Sequence, residues 1–218
     1  MPRLYLATPL IDDPSPLIAG LPDLLAGADV AAVLLRFASM NERDMTACIA
    51  SLAPPIQGAG AALLLDGHVG LVARSGADGA HLTGLAEFEQ ARPSLKPDRI
   101  AGVGGLSSRH DSMLAGEGGA DYVLFGEPDA TGRRPSMDAV IERLDWWAEL
   151  FEPPCVAYAG SREEAQQFAL AGADFILAGD MIWADSRGPA AALAALDGAI
   201  REACAAGIVN NGAKAGPG

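Results

Sequence analysis

A Gly-Ala-Asp triplet occurs four times along the chain, each time before a short apolar run. These runs are rich in Val, Leu, Ile and aromatic residues, which is typical of strands buried on both faces. Stretches with apolar residues at intervals of three and four precede the triplets and indicate helices. The triplet therefore marks a helix-to-strand junction, where Gly ends the helix in a left-handed conformation and Asp has a structural role before the strand. The copies are Gly27-Ala28-Asp29, Gly76-Ala77-Asp78, Gly119-Ala120-Asp121 and Gly172-Ala173-Asp174.

Four more runs of strand character alternate with those that follow the triplets, and candidate helices separate neighbouring runs. This strict alternation predicts a parallel sheet with helices outside it. Eight strands with a two-unit repeat favour a closed (β/α)8 TIM barrel. The alternative is an open doubly wound sheet, but its GxGxxG fingerprint is missing after the first strand. The additional strands are predicted at RLYLAT, AALLLD, RIAGVGG and CVAYAG.

Composition limits the functions open to such a chain. We expect one domain over residues 1–207 and a frayed tail over residues 208–218. The formal net charge of −13 argues against a nucleic-acid surface, although a pocket can be locally positive on an acidic protein and take an anionic small substrate. No run of eighteen apolar residues indicates a membrane span. Cys48, Cys155 and Cys204 form no CxxC motif, so we expect reduced thiols of a cytoplasmic protein.

In a barrel of this kind the loops after the strands build the active site. Gly160 and Gly179 follow the last two predicted strands, and glycine there lets backbone N–H groups approach a phosphate. Arg36 and the pair Arg133-Arg134 can add charge-assisted contacts to that anion. The glycines can equally serve as turn residues, and the arginine pair can lie in a solvated loop. Two further polar residues of these loops are Thr131 and Asp180.

Two acidic residues are the candidates for catalysis. Asp66 and Glu127 follow the third and sixth predicted strands, where a carboxylate can hold a hard cation or move a proton. Asp66 can instead cap the helix that follows it. His81 ends the fourth predicted strand and is expected in the core or behind the site rather than in catalysis.

Three segments resemble the superfamily of thiamin phosphate synthase and thiazole tautomerase. They are LLLDGHVGLVARSGADGAHL, GADYVLFG with the following ATGRR, and VAYAGS with AQQFALAGADFILAGDMI. The resemblance runs from Leu4 to about Ile182. It implies a TIM barrel in which a hydroxymethylpyrimidine diphosphate loses diphosphate with the help of Mg²⁺. The nitrogen of a thiazole phosphate then attacks the pyrimidine cation.

The resemblance also implies roles for particular residues, and the metal and diphosphate side departs from the family pattern. Arg36 matches the Arg of an Arg-x-Lys motif, but Ala38 stands at the Lys position. Asp66 matches a magnesium ligand, while Leu65 replaces the Asn before it. A second metal-binding Asp is expected near Ala86 and is absent, although Glu87 lies next to it.

The thiazole phosphate side is closer to the family. Thr131 is kept, Arg134 stands where Lys is usual, and Ala159-Gly160 replaces a Gly-Gly pair. Arg keeps the charge of Lys but changes the geometry of its contacts. We therefore expect His81, Gly179 and Asp180 to join these residues in binding a small phosphorylated substrate.

Three functions follow from this pattern. The first is a thiamin phosphate synthase with a degraded metal and diphosphate site. The second is an isomerase acting on a thiazole phosphate, with Glu127 as acid and base. The third is a non-catalytic binder of a phosphorylated thiamin precursor. A homodimer is compatible with each of them.

Overall fold

Eight parallel strands close into a single barrel in the order β1 to β8, each paired with the next and β8 with β1. The computed structural model describes residues 1–214, with side chains up to residue 207. The predicted TIM barrel is therefore confirmed, and the open sheet is excluded. The strands are β1 Arg3–Ile11, β2 Val30–Phe37, β3 Ala62–Asp66, β4 Gly79–Thr83, β5 Ile100–Gly104, β6 Tyr122–Phe125, β7 Cys155–Ala159 and β8 Phe175–Ala178.

Helices surround the barrel, and the described residues hold one more than the eight expected. The extra helix is α8, a single turn directly after β8. The last helix extends to Lys214, past the predicted start of the tail; residues 215–218 lie outside the described residues. The helices are α1 Ser15–Ala26, α2 Glu42–Gly58, α3 Val69–Ser75, α4 Leu85–Leu95, α5 Arg109–Glu117, α6 Met137–Leu150, α7 Arg162–Leu170, α8 Asp180–Trp183 and α9 Pro189–Lys214.

The core has two layers. A large outer layer of aliphatic and aromatic side chains lies between strands and helices. Within the described residues no helix has the length and apolar character needed to cross a bilayer. The barrel interior is filled by a smaller cluster, so the barrel is a packed core and not a pore. Its buried members are Tyr5, Ala7, Leu34, Leu64, Tyr122, Leu124, Val156 and Leu177.

Three triplet aspartates bind the N-terminal ends of neighbouring strands. The carboxylates of Asp78, Asp121 and Asp174 each accept a backbone N–H from the strand before, at 2.7 to 2.9 Å. Each aspartate also donates its own backbone N–H to the carbonyl of that same residue. The fourth carboxylate, Asp29, pairs instead with the Arg3 side chain at 2.8 Å. The structural role predicted for these acids is confirmed by these contacts.

The glycine half of the prediction is correct at three of the four triplets. Gly76, Gly119 and Gly172 have φ of 80°, 87° and 91°, a conformation that favours glycine. The prediction is wrong at Gly27, which has φ of −88°. Its N–H bonds the Leu24 carbonyl three residues back, so α1 ends in a tight turn that needs no left-handed residue.

Candidate active site

A chain of hydrogen-bonded side chains runs from the barrel interior to the C-terminal mouth. The hydroxyls of Tyr5 and Tyr122 are 2.9 Å apart, and the Tyr122 hydroxyl is 2.9 Å from Nδ1 of His81. Nε2 of His81 is 3.2 Å from Oε1 of Glu127, whose side chain is 22% exposed while that of His81 is 2% exposed. Only Glu127 thus reaches the solvent edge of a buried chain that comes from β1, β4 and β6.

Glycines make room for this chain. A side chain at Gly104 would overlap the Glu127 carboxylate, and one at Gly102 would overlap the Tyr122 ring. Gly105, with φ of 61°, turns its N–H toward Oε2 of Glu127 at 2.5 Å. Both carboxylate oxygens of Glu127 therefore have a partner, and the strand-five glycines have a defined purpose.

The direction of the hydrogen bonds along the chain depends on the protonation of His81. With neutral His81, Nε2–H donates to Glu127 and Nδ1 accepts from the Tyr122 hydroxyl. Burial lowers the pKa of His81, but the hydrogen bond and charge of Glu127, together with the charge of Asp66, outweigh burial and raise that pKa above its usual value. Burial raises the pKa of both Tyr5 and Tyr122, so the two phenols stay protonated.

Asp66 ends β3 beside this chain. Burial raises its pKa, an effect opposed by the charges of His81 and Arg36 and supported by those of Glu127 and Glu87. Glu87 lies in the first turn of α4, where Oε2 accepts the Thr83 N–H at 2.8 Å. Across the described residues, no three or more His, Cys, Asp or Glu side chains group together in a way that could hold a metal ion.

Arg36 and Asp180 meet on the β1, β2 and β8 side of the mouth. Nε of Arg36 donates to the Thr8 carbonyl at 2.6 Å, and Nη2 pairs with Asp180 at 3.1 Å. Thr8 is buried, and its hydroxyl accepts the Arg36 N–H. Gly179, where a bare amide was predicted to face a phosphate, is also buried, in the space between Ala7 and the Arg36 guanidinium.

Arg134 and Gly160 meet on the β6 and β7 side, where both bind Glu164. Arg134 donates to both Glu164 oxygens at 3.3 and 2.8 Å, to the Gly126 carbonyl at 3.0 Å and to the Tyr158 carbonyl at 2.9 Å. The Gly160 N–H donates to Glu164 Oε2 at 2.7 Å. A carboxylate of this chain thus occupies the place that the sequence assigns to a phosphate.

The remaining candidate, Thr131, lies in an exposed loop. Its hydroxyl donates to Asp129 at 2.6 Å and accepts from Nε of Arg133 at 3.2 Å. Arg133 is 83% exposed, as expected for its alternative interpretation as a solvated loop residue. The loop borders a cleft of about 500 Å³ that extends from Glu127 to α6.

Sequence reasoning missed Tyr5, Tyr122 and Glu164. The two tyrosines lie in strand-like runs, where an aromatic residue is usually packing, and their contact joins residues 117 positions apart. Glu164 lies in the first turn of α7, where acidic residues commonly stabilise a helix N-terminus. A polar hydroxyl on an inward-facing strand position was the one available signal for the tyrosines.

Comparison with known proteins identifies relatives over most of the chain. Residues 4–201 match the family described as thiamine monophosphate synthase. The chain is 39% identical to the thiamine-phosphate synthase of Rhodospirillum centenum, over 91% of this chain and 98% of that protein. It is 36% identical to the thiamine-phosphate synthase of Hyphomonas neptunium, over 89% of this chain and 92% of that protein.

A solved structure shares the fold. The thiamine phosphate pyrophosphorylase from Pyrococcus furiosus superposes with a TM-score of 0.74, covering 92% of this chain and 96% of that one. The two sequences are 22% identical, so this likeness concerns the barrel alone.

Proposed function

Because the chain belongs to the thiamine monophosphate synthase family, we propose that it joins a hydroxymethylpyrimidine diphosphate to a thiazole phosphate. The bond between the pyrimidine methylene carbon and diphosphate breaks, and the thiazole nitrogen forms the new C–N bond. The products are thiamin phosphate and diphosphate. The observation that carries the proposal is the family match over residues 4–201, together with relatives of that activity that align over nearly their whole length.

The charges at the mouth support binding of two anionic substrates. Arg36 on one side and Arg134 on the other are both partly buried, with 24% and 25% of their side chains exposed. Partial burial strengthens a guanidinium's attraction for phosphate because little water screens it. The apolar side chains of the barrel interior close the floor between the two arginines. They keep water from the pyrimidine cation that forms when diphosphate leaves.

Magnesium is the metal that the resemblance implies, and two carboxylates fit it. Mg²⁺ usually binds one or two carboxylates, several waters and substrate phosphates. Asp66 and Glu87 interact electrostatically at the mouth and would supply the carboxylates. When bound, the ion would neutralise charge on the departing diphosphate. In this proposal Glu87 would stand in for the acid that the family pattern places one residue earlier.

Thiazole phosphate binding requires an exchange of anions. Glu164 holds both Arg134 and the Gly160 N–H, so a phosphate reaching them must displace a carboxylate. A phosphate monoester carries more charge and one more acceptor oxygen than a carboxylate, so the exchange favours the substrate. Glu164 neutralises Arg134 in the empty site and is repelled when the phosphate arrives.

One alternative uses Glu127. Its contact with the buried His81 suits a proton carrier, which a thiazole phosphate isomerase needs. A non-catalytic binder of a phosphorylated thiamin precursor is the other alternative, favoured by the departures at Ala38 and Leu65. The cytoplasmic location and the homodimer stay predictions.

Magnesium dependence separates the three functions. With both precursors present, we expect thiamin phosphate only when Mg²⁺ is added, and its loss in Asp66→Ala. A metal-independent isomerisation that is lost in Glu127→Gln would favour the isomerase. Calorimetric binding of thiazole phosphate without turnover in either assay would favour the binder.

A further inference from the structure

The cleft between α6 and the loops after β5 and β6 contains an arginine that the proposed reaction does not use. Arg143 projects from α6 into this cleft, which has a volume of about 500 Å³. Its guanidinium carbon lies 5.6 Å from the centre of the Phe125 ring, which forms one wall. Leu106 and Ser107 from the β5–α5 loop line another wall.

The guanidinium of Arg143 has few partners in the protein. Its one hydrogen bond goes from Nη1 to the Leu106 carbonyl at 3.5 Å, the longest such bond of any arginine here among the described contacts. No carboxylate of the described residues lies within 4.0 Å of it. Neither Nε nor Nη2 is among the buried unpartnered atoms, so these N–H groups reach the solvent of the cleft.

The neighbouring acids are already engaged. Glu127 is held by His81 and the Gly105 N–H, and Asp129 by Thr131 and Arg133. Burial and the charge of Arg109 lower the pKa of Arg143, while Glu142 and Asp111 act from a distance in the opposite direction. A partly buried cation without a paired anion costs free energy that an uncharged side chain packed on Phe125 would not.

We propose that this cleft is an anion subsite in which Arg143 binds a phosphate or diphosphate group. A guanidinium presents parallel N–H donors that match two oxygens of such a group. Arg133 lines the same cleft, but its guanidinium pairs with Asp129 at 3.4 Å, so the charge of the subsite comes chiefly from Arg143. The Phe125 ring beneath the guanidinium fixes its orientation.

The position of the cleft suggests free diphosphate as its ligand, and this choice of ligand rests on the proposed function. Gly126, Glu127 and Arg134 line the cleft, and both Glu127 and Arg134 also belong to the barrel mouth, where Arg134 is held by Glu164. A diphosphate released at the mouth therefore has a positively charged place to enter a few residues away. The subsite would hold the product as it leaves and make the enzyme sensitive to diphosphate inhibition.

Calorimetry with inorganic diphosphate tests the subsite on the full chain. We expect Arg143→Gln to weaken diphosphate binding by about tenfold or more, as loss of charge-assisted hydrogen bonds would. Arg143→Lys should keep the fold and the charge. It should lower the logarithm of the diphosphate affinity by about half as much as Arg143→Gln does, because Lys lacks the planar fork of donors. Arg201→Gln is the matched control: it removes an arginine of α9, outside the lining of the cleft, that is paired with Asp197 at 2.9 Å, and it should leave binding unchanged.

One variant background and one further ligand make the result decisive. The weakening by Arg143→Gln should persist in Arg36→Gln, which removes a charge from the mouth. Titration of thiazole phosphate distinguishes free diphosphate from a phosphate ester: Arg143→Gln should leave its affinity unchanged. Equal diphosphate affinity in wild type, Arg143→Gln and Arg143→Lys would overturn the subsite, as would an equal loss of affinity in Arg201→Gln.

The subsite and the proposed function can fail separately. If diphosphate binding depends on Arg143 but no thiamin phosphate forms, the proposed function fails and the subsite stands. If thiamin phosphate forms while Arg143→Gln binds diphosphate like the wild type, the subsite fails alone.

Discussion

The two ends of the barrel use polar residues in opposite ways. At the N-terminal end, the same contact repeats at Asp78, Asp121 and Asp174, each holding one residue of the strand before. At the C-terminal end the ion pairs do not follow the triplet repeat: Arg36 binds Asp180, His81 binds Glu127, and Arg134 binds Glu164. The residues of the repeated triplet therefore stabilise the barrel, whereas the residues outside the repeat, at the C-terminal end, are those expected to take part in chemistry in this fold.

The largest expected effect is at the C-terminal end. Asp66→Asn should lower kcat/KM for thiamin phosphate formation by about a hundredfold or more, because a ligand for the metal at the leaving group is lost. Its stability should not fall: burial raises the pKa of Asp66, so the ionised group costs free energy in the fold. Steady-state kinetics and urea unfolding check both halves. An Asp66→Asn variant that unfolds at lower urea but keeps full activity would contradict the assignment of stability to the N-terminal end and catalysis to the C-terminal end.

The next effect is at the N-terminal end. Asp78→Ala should lower the free energy of unfolding by about 1–3 kcal/mol, since it leaves the Leu63 N–H without its acceptor. Asp29→Ala is the matched control from the same repeat. Its carboxylate pairs with Arg3 in the open, with 47% and 45% of the two side chains exposed, so the loss should be below about 1 kcal/mol. Both variants should keep the wild-type kcat; a lower kcat in folded Asp78→Ala would show that the two ends are coupled.

A smaller effect is expected at Glu164. Glu164→Gln keeps a hydrogen-bond acceptor for the Gly160 N–H but removes the charge that neutralises Arg134. Thiazole phosphate should bind about three- to tenfold more tightly, because no charged competitor has to be displaced. Calorimetric titration measures the change, with Glu163→Gln in the same helical turn as control. Weaker binding in Glu164→Gln alone would mean that Glu164 supports the phosphate site instead of competing for it.

The smallest effect is a pH dependence of stability at His81. Its pKa is raised in the folded protein, so His81 contributes stability that is fully present below the ordinary pKa near 6.5. That contribution is lost as pH rises through the raised pKa. Urea unfolding between about pH 6 and pH 9 should show this decline in the wild type, and His81→Gln should flatten it. An identical slope in both proteins would assign the decline to other groups.

The fold could be predicted because its signals are local. The triplets and the alternation of runs each depend on residues that are close together in the sequence. The left-handed conformation predicted for Gly27 was wrong because the same sequence allows two kinds of helix ending. Only the geometry of α1 decides between them. The short helix α8 was missed because four residues carry no periodicity.

The site could be predicted only as a set of candidates. Asp66, His81 and Glu127 were found from the rule that strand ends build the site, and they do interact electrostatically. Their partners could not be found in this way, because Tyr5 and Tyr122 meet only when the barrel closes. The contact between Arg134 and Glu164 could not be predicted either, because the sequence does not distinguish Glu164 from any other acidic residue at the start of a helix.

We propose that residues at the C-terminal end of the barrel join two phosphorylated precursors, and phosphorus NMR measures this reaction directly. With the wild-type chain, Mg²⁺ and both precursors, we expect thiamin phosphate and diphosphate to appear together in a one-to-one ratio. Precursors that bind but give neither product, in magnesium and at full folding, would contradict the account.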